Sequence, residues 1–268
     1  MAILLGLLIL FWKPPEAAAA PPQRIVSLDL CTDWQLARHA DTFGKARVAA
    51  LSPAFRRFFP PDLRPKHFPI HAQEAESVLA FAPDLVLVGT GNARLLSAHL
   101  QRLGMRVEIL PLPRTLAEVA ASERHFFALL GLAPPPRPEV TTPDPASNAP
   151  RLLLFGANGI GTGRNTLEDE MLRRAGWRNY LAVSGYVRVD LEQLALDPPD
   201  ALVWSAPAGA ALANAPLAHP LLRRILPAAR IWQTDTWPWQ CPGAATWDLI
   251  AALRHWRSKP LPEKNDTP

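Results

Sequence analysis

The residues with chemistry to offer are few and widely spaced. Two cysteines, Cys31 and Cys241, lie near opposite ends of the chain, and the seven histidines (39, 67, 71, 99, 125, 219 and 255) share no metal-ligand spacing on any one element. Neither a nucleophile elbow, G-x-S-x-G, nor a zinc-protease helix, H-E-x-x-H, occurs in the sequence. Two cysteines without a histidine cluster do not make a zinc site. A glycine-rich turn with Gly156, Gly159, Gly161 and Gly163 invites comparison with phosphate-binding loops, and fails it. A Walker A loop needs Lys after its last glycine, where Thr162 stands; a dinucleotide fingerprint needs a third glycine, where Arg164 or Thr166 stands. The turn still offers backbone N–H groups ahead of a helix, which suits an anionic or carbonyl-rich ligand. The aromatic residues carry a second signal. Trp237 and Trp239 flank a proline in the loop TDTWPWQCPG, and Tyr186 follows Gly185 in another loop, positions with little core to enter. Aromatics so placed bind flat ligands. Trp34 has two readings, core packing or an aromatic wall. This inventory describes binding, with no enzyme, cofactor or metal expected.

The elements that must position these residues follow an α/β grammar. From Arg151 to Trp204 the chain reads as a short apolar strand, the glycine turn, a helix with Leu167, Met171, Leu172 and Ala175 on one face, a second helix over Leu191 to Leu196, the phrase Asp197-Pro198-Pro199-Asp200, and a buried strand from Ala201. The same order, helix, Pro-Asp, strand, polar loop, appears in EAESVLAFAPDLVLVGTGN. Further strands are expected at Arg24 to Leu28, Arg47 to Leu51, Arg106 to Leu110 and Arg230 to Gln233. Helices are expected after Cys31, capped by Thr32 or Asp33, and over Asn92 to Gly104, Thr115 to Leu130, Pro216 to Leu226 and Ala244 to Trp256. The stretch AFRRFFPPDLRPKHFPIHA reads as a long irregular loop. In open parallel sheets a ligand sits beyond the carboxyl ends of the strands, so the polar loops are the expected binding surface.

The doubled phrase resembles the substrate-binding proteins of ABC importers for ferric siderophores, heme and cobalamin, and the likeness runs over nearly the whole chain. It implies two α/β lobes, each a mostly parallel central sheet flanked by helices, with a ligand cleft between them. It also implies that Glu76 and Glu192, each on the helix before its Pro-Asp, dock onto arginines of an inner-membrane permease. Ligands of the family contact the glycine turn, making Ile160, Thr162 and Arg164 candidates beside Cys31, Asn92, Trp34, Trp237 and Trp239; Tyr186 matches a position where members carry a cleft aromatic. The cargo implied is an iron chelate or a corrinoid; heme has less support, because its axial ligation leaves only Tyr186 as a good candidate. Two departures stand out. Six prolines between 134 and 145 interrupt the region where members continue a long bridging helix, and Gly243 stands where many carry an arginine. Either the lobes move more than usual or the bridge is a shorter helix ending near Leu130. An α/β enzyme or a membrane-anchored sensor is the alternative function.

Composition sets the frame. The 268 residues, 49% hydrophobic and 19% charged, can bury two cores, and the net charge of +4 is spread without the basic stripe of a nucleic-acid binder. One cluster, Arg56, Arg57, Arg64 and Lys66, reads as solvated surface or as attraction for an anion. Residues 1–20, an apolar run of 11 residues and then Ala18-Ala19-Ala20, read as a signal peptide directing the chain to the periplasm. The expected organisation is then 21–113 for the N-terminal lobe, 114–150 for an inter-lobe helix and linker, and 151–268 for the C-terminal lobe, as a monomer. In an oxidising compartment Cys31 and Cys241 are either bonded across the cleft or free thiols touching ligand.

Overall fold

The computed structural model describes residues 20–58, 68–137, 145–206 and 214–259. Residues 1–19 of the proposed signal peptide, Arg64 and Lys66 of the basic cluster, and the middle of the proline-rich linker lie outside them. No helix among the described residues is long and apolar enough to cross a membrane.

The first half builds a four-stranded, all-parallel sheet in the order β2-β1-β3-β4, from β1 (Ile25–Ser27), β2 (Val48–Ala50), β3 (Leu85–Gly89) and β4 (Val107–Leu110). β1 is buried along its whole length and apolar but for Ser27, and most of β3 is an uninterrupted buried apolar run, as strands covered on both faces tend to be. Helices α1 (Leu30–Phe43), α2 (Pro53–Phe58), α3 (Ala75–Leu79) and α4 (Arg94–Arg102) cover it. The expected cap of α1 is corrected. The helix starts at Leu30 and its cap is Asp29, whose carboxylate accepts from the N–H groups of Cys31 and Thr32. Thr32 and Asp33 are buried within the first turn instead. Asp33 reaches back to the end of β2, accepting from Ser52 N at 2.8 Å and Ser52 Oγ at 2.6 Å.

The second half builds a mixed sheet. β5 (Arg151–Gly156), β9 (Ala201–Ser205) and β10 (Ile231–Thr234) are parallel neighbours, and β7 (Arg178–Asn179) pairs with the start of β5. β6 (Ile160–Thr162) and β8 (Tyr186–Arg188) add an antiparallel edge in the order β10-β9-β5-β6-β8. α6 (Leu167–Arg174) and α7 (Leu191–Leu196) flank it. The helix expected from Pro216 to Leu226 is two, α8 (Ala215–Ala218) and α9 (Pro220–Ile225), because Pro220 cannot continue the first and instead opens the second.

The repeated Pro-Asp phrase has a shared structural purpose. Asp84 accepts from the N–H of Arg24, at the mouth of β1, at 3.0 Å; Asp200 accepts from the N–H of Arg151, which starts β5, at 2.8 Å. In each half an aspartate satisfies the otherwise orphaned amide that begins the central strand.

Three links join the halves. α5 (Leu116–Leu129) puts Leu116 and Val119 into the second core and Phe126 and Phe127 into the first, so the bridge is this shorter helix. The C-terminal segment crosses back: in α10 (Trp237–Gln240), Trp237 joins the first core while Trp239 joins the second, and α11 (Ala244–Ser258) follows. Buried Glu123 of α5 accepts from Arg137 and, at 2.7 Å, from the Trp247 indole of α11. Finally, Cys31 and Cys241 form a disulfide between residues 210 apart in sequence.

Candidate functional site

The carboxyl ends of both sheets open onto one cleft with two chambers. The N-terminal chamber, about 470 Å³, is bounded by the loops after β1, β3 and β4, with Asp29, Cys31, Gly89 and Asn92 among its walls. The C-terminal chamber, about 840 Å³, lies over β5, β6 and the start of α6. Leu112, Pro113, Gln240 and Pro242 border both, so the α5 approach and the end of α10 form the sill between them. Each chamber falls in the size range of small-molecule sites.

In the N-terminal chamber, Asp29 ties two walls together. Besides capping α1 it accepts from Gly89 N at 2.5 Å, at the tip of β3. A Cβ on Gly89 would lie 3.2 Å from Asn92 Nδ2 and 3.4 Å from Asp29 Oδ2, so a glycine lets the loop close on the carboxylate. Asn92 is exposed at the rim, and the Cys31–Cys241 disulfide forms part of the chamber wall.

The C-terminal chamber gathers Ile160, Thr162, Tyr186 and Trp239. The antiparallel edge brings two of them together: Thr162 on β6 is the register partner of Tyr186 on β8. Tyr186 is 64% exposed, and its phenol donates to Glu168 on α6, with the two carboxylate oxygens 3.2 and 3.1 Å away. Burial raises the Glu168 carboxyl above the ordinary carboxylate range. Burial, then the adjacent carboxylate, push the Tyr186 phenol up to about 12. Trp239 is 6% exposed; its indole N–H is fixed by Thr234 Oγ1 at 2.7 Å, and its edge reaches the chamber.

Several sequence-based placements are corrected. Trp34 and Trp237 line neither chamber. Each is 8% exposed, and their rings meet with centroids 4.2 Å apart, where α1 meets α10. The tryptophans around Pro238 do have a core to enter, because Pro238 lies in the first turn of a short helix wedged between the halves. Arg164 is exposed and outside both chambers; its N–H donates to Val183 O at 2.7 Å, holding the loop beside β8. Two glycines of the turn serve packing instead. Gly161 sits in β6, where a Cβ would come within 2.5 Å of Val189 and 2.6 Å of Leu181. At Gly163 a Cβ would come within 2.1 Å of Val183 O, while its N–H donates to Gly185 O. These glycines allow strands and loops to touch. Glu168 was missed in the sequence because a run of acids in a first helical turn, Glu168, Asp169 and Glu170, reads as ordinary favourable helix-dipole chemistry.

Glu76 and Glu192 occupy matching places. Each is exposed in the first turn of its helix, α3 or α7, and each precedes the aspartate of its Pro-Asp phrase by the same number of residues.

No family model and no curated protein matches the chain by sequence. Solved structures do match in shape. A periplasmic heme binding protein from Pseudomonas aeruginosa is 24% identical, covers 92% of this chain and 99% of its own, and superposes with a TM-score of 0.63. The periplasmic heme-binding protein BhuT, in complex with two hemes, is 22% identical over 88% of this chain and 97% of its own, with a TM-score of 0.63. The periplasmic vitamin B12 binding protein BtuF of Vibrio cholerae is 21% identical over 88% of this chain and 97% of its own, with a TM-score of 0.55. By its fold, this chain stands with these periplasmic binding proteins: two α/β lobes joined by a helix, with a cleft at the strand ends.

Proposed function

We propose that the chain is the substrate-binding protein of an ABC importer, holding a small-molecule cargo between its lobes and delivering it to a permease. The observation that carries this reading is the cleft itself. Two chambers of ligand size open at the carboxyl ends of two sheets, walled by an aromatic pair, Tyr186 and Trp239, and by scattered polar groups including Asn92 and Thr162. The structural relatives are named for binding heme and vitamin B12, which supports a metal chelate or corrinoid as cargo. Binding is the whole activity; no bond is made or broken. Glu76 and Glu192, equivalent and exposed on the two halves, are the permease contacts, and a pair of carboxylates whose spacing follows the lobe arrangement reports it while steering docking. The chain works as a periplasmic monomer after loss of residues 1–20, with lobes bounded near 113 and 151.

Titration of residues 21–268 with cyanocobalamin, a panel of ferric siderophores and hemin, followed by tryptophan fluorescence, tests the proposal. Saturable binding of one class at micromolar or lower concentration is expected, with Trp239 as reporter. Absence of binding across the panel would count against an importer of this type.

A further inference from the structure

We propose that Glu168, with the phenol of Tyr186, is the specificity determinant of the cleft, and that the cargo is a neutral or cationic molecule presenting N–H or O–H donors to the C-terminal chamber. This rests on the importer reading and narrows it. The charged side chains along the described walls of the two chambers are Asp29, Arg114 and Glu168. Asp29 is committed within the protein, since it caps α1 through the N–H groups of Cys31 and Thr32 and accepts from Gly89 N. Glu168 differs. It lines the larger chamber, and its carboxylate accepts a hydrogen bond from the Tyr186 phenol, whose oxygen lies 3.1 to 3.2 Å from its two oxygens. Within the protein it is also supported by its own backbone N–H and by the neighbouring Thr166 hydroxyl, which lies within 2.9 Å of Gly163 O as well. A carboxylate has about four acceptor positions, and a phenol that donates its one proton keeps its own oxygen as an acceptor. The pair is therefore an acceptor-rich wall in a partly desolvated place. There a donor from the ligand gains most, and a second carboxylate or a catecholate is repelled. Arg114 is the one cation among the described lining residues; it follows Leu112 and Pro113 and lines the same chamber as Glu168, so the acceptor wall faces one positive charge.

The test is a titration of the full mature protein, wild type and the variants Glu168→Gln and Tyr186→Phe. Three probes are used: cyanocobalamin, neutral and rich in amides; ferrioxamine B, cationic; and a trianionic ferric tricatecholate. Expected is binding of a neutral or cationic probe by the wild type, weakened about tenfold by Glu168→Gln, the loss of charge assistance on one hydrogen bond. Tyr186→Phe is expected to weaken it less, because Glu168 keeps its charge. Each variant should melt within a few degrees of wild type, so that a loss of affinity is not a loss of fold. Tightest binding of the tricatecholate, strengthened by Glu168→Gln, would overturn this inference while leaving the importer reading intact. An affinity for the neutral or cationic probe that stays within twofold in Glu168→Gln would also overturn it. Binding of no probe at all would overturn this inference, and hemin titrated alongside would then decide whether the importer reading falls with it.

Discussion

Replacing both cysteines, Cys31→Ser with Cys241→Ser, removes a cross-link between residues 210 apart in sequence. Closing so long a loop restricts the unfolded chain severely, and the chain-entropy account gives about 5 kcal/mol for a loop of this length, at the top of the usual range. The native arrangement has other supports at the same junction. Trp34 and Trp237 pack with ring centroids 4.2 Å apart, Glu123 binds Arg137 and Trp247, and Arg38 pairs with Asp248 at 2.6 Å. The folded form of the double variant should therefore survive with its lobes in place, and the loss should fall on stability. For a chain of this size about 5 kcal/mol corresponds to a fall in Tm of roughly 10–20 °C. Circular dichroism melts of the oxidised wild type, the reduced wild type and the double variant measure it, and the last two should coincide. A fall of less than about 3 °C in both would refute the reasoning, for the lobes would then be tied together equally well in the unfolded reference or not tied by this bond at all.

Four further outcomes are expected. Burial pushes Asp33 up to about 7 from 3.8, so the native state holds a proton there that the unfolded chain has lost. Stability should accordingly fall as pH rises from about 4 to 7, by roughly 4 kcal/mol at most, and Asp33→Asn should remove that slope in urea titrations. His39 and His71, lowered by burial, act in the opposite sense as pH falls through 6.5, so the wild-type-to-variant difference is the quantity to compare; a constant gap across the range would discard the argument. Gly163→Ala would set a methyl against a backbone carbonyl 2.1 Å away and should cost about 3 kcal/mol in denaturant unfolding. Asp84→Ala and Asp200→Ala, which each strip a partner from a strand-opening amide, should cost about 1–2 kcal/mol apiece and by similar amounts, given their matching roles. Glu76→Lys with Glu192→Lys should leave cargo affinity within twofold in solution yet reduce uptake by cells carrying the cognate permease; unchanged uptake would release both residues from the docking role.

The architecture was legible because its signals are local. The runs from Ile25, Leu85, Leu152 and Ala201 are apolar on both faces, which only a covered parallel strand needs, and the doubled Pro-Asp phrase marks the same construction twice. Glu76 and Glu192 could be matched on sequence because they sit at equal distances from those phrases. Tyr186 could be singled out because a tyrosine after a glycine in a polar stretch has no apolar stripe to join; it opens the edge strand β8 and not a loop, and it does stand 64% exposed at the chamber.

The tryptophans and glycines show where such reading stops. Nothing within TDTWPWQCPG announces that α10 will be wedged between the halves, since what buries Trp237 is Trp34, some two hundred residues earlier. Likewise Gly161 and Gly163 are small because Val189, Leu181 and Val183 come close from another segment, a fact of strand pairing and not of the turn. Glu168 is decided the same way: its place in the first turn of a helix is local, but its neighbour Tyr186 arrives through the antiparallel edge. Periodicity, caps and turn residues act over a few residues and so determined most of the helices and parallel strands and their order, though not α2, α10, β7 or the antiparallel edge of β6 and β8. Which side chains face one another across the cleft depends on contacts between distant segments, and those only the packed chain decides.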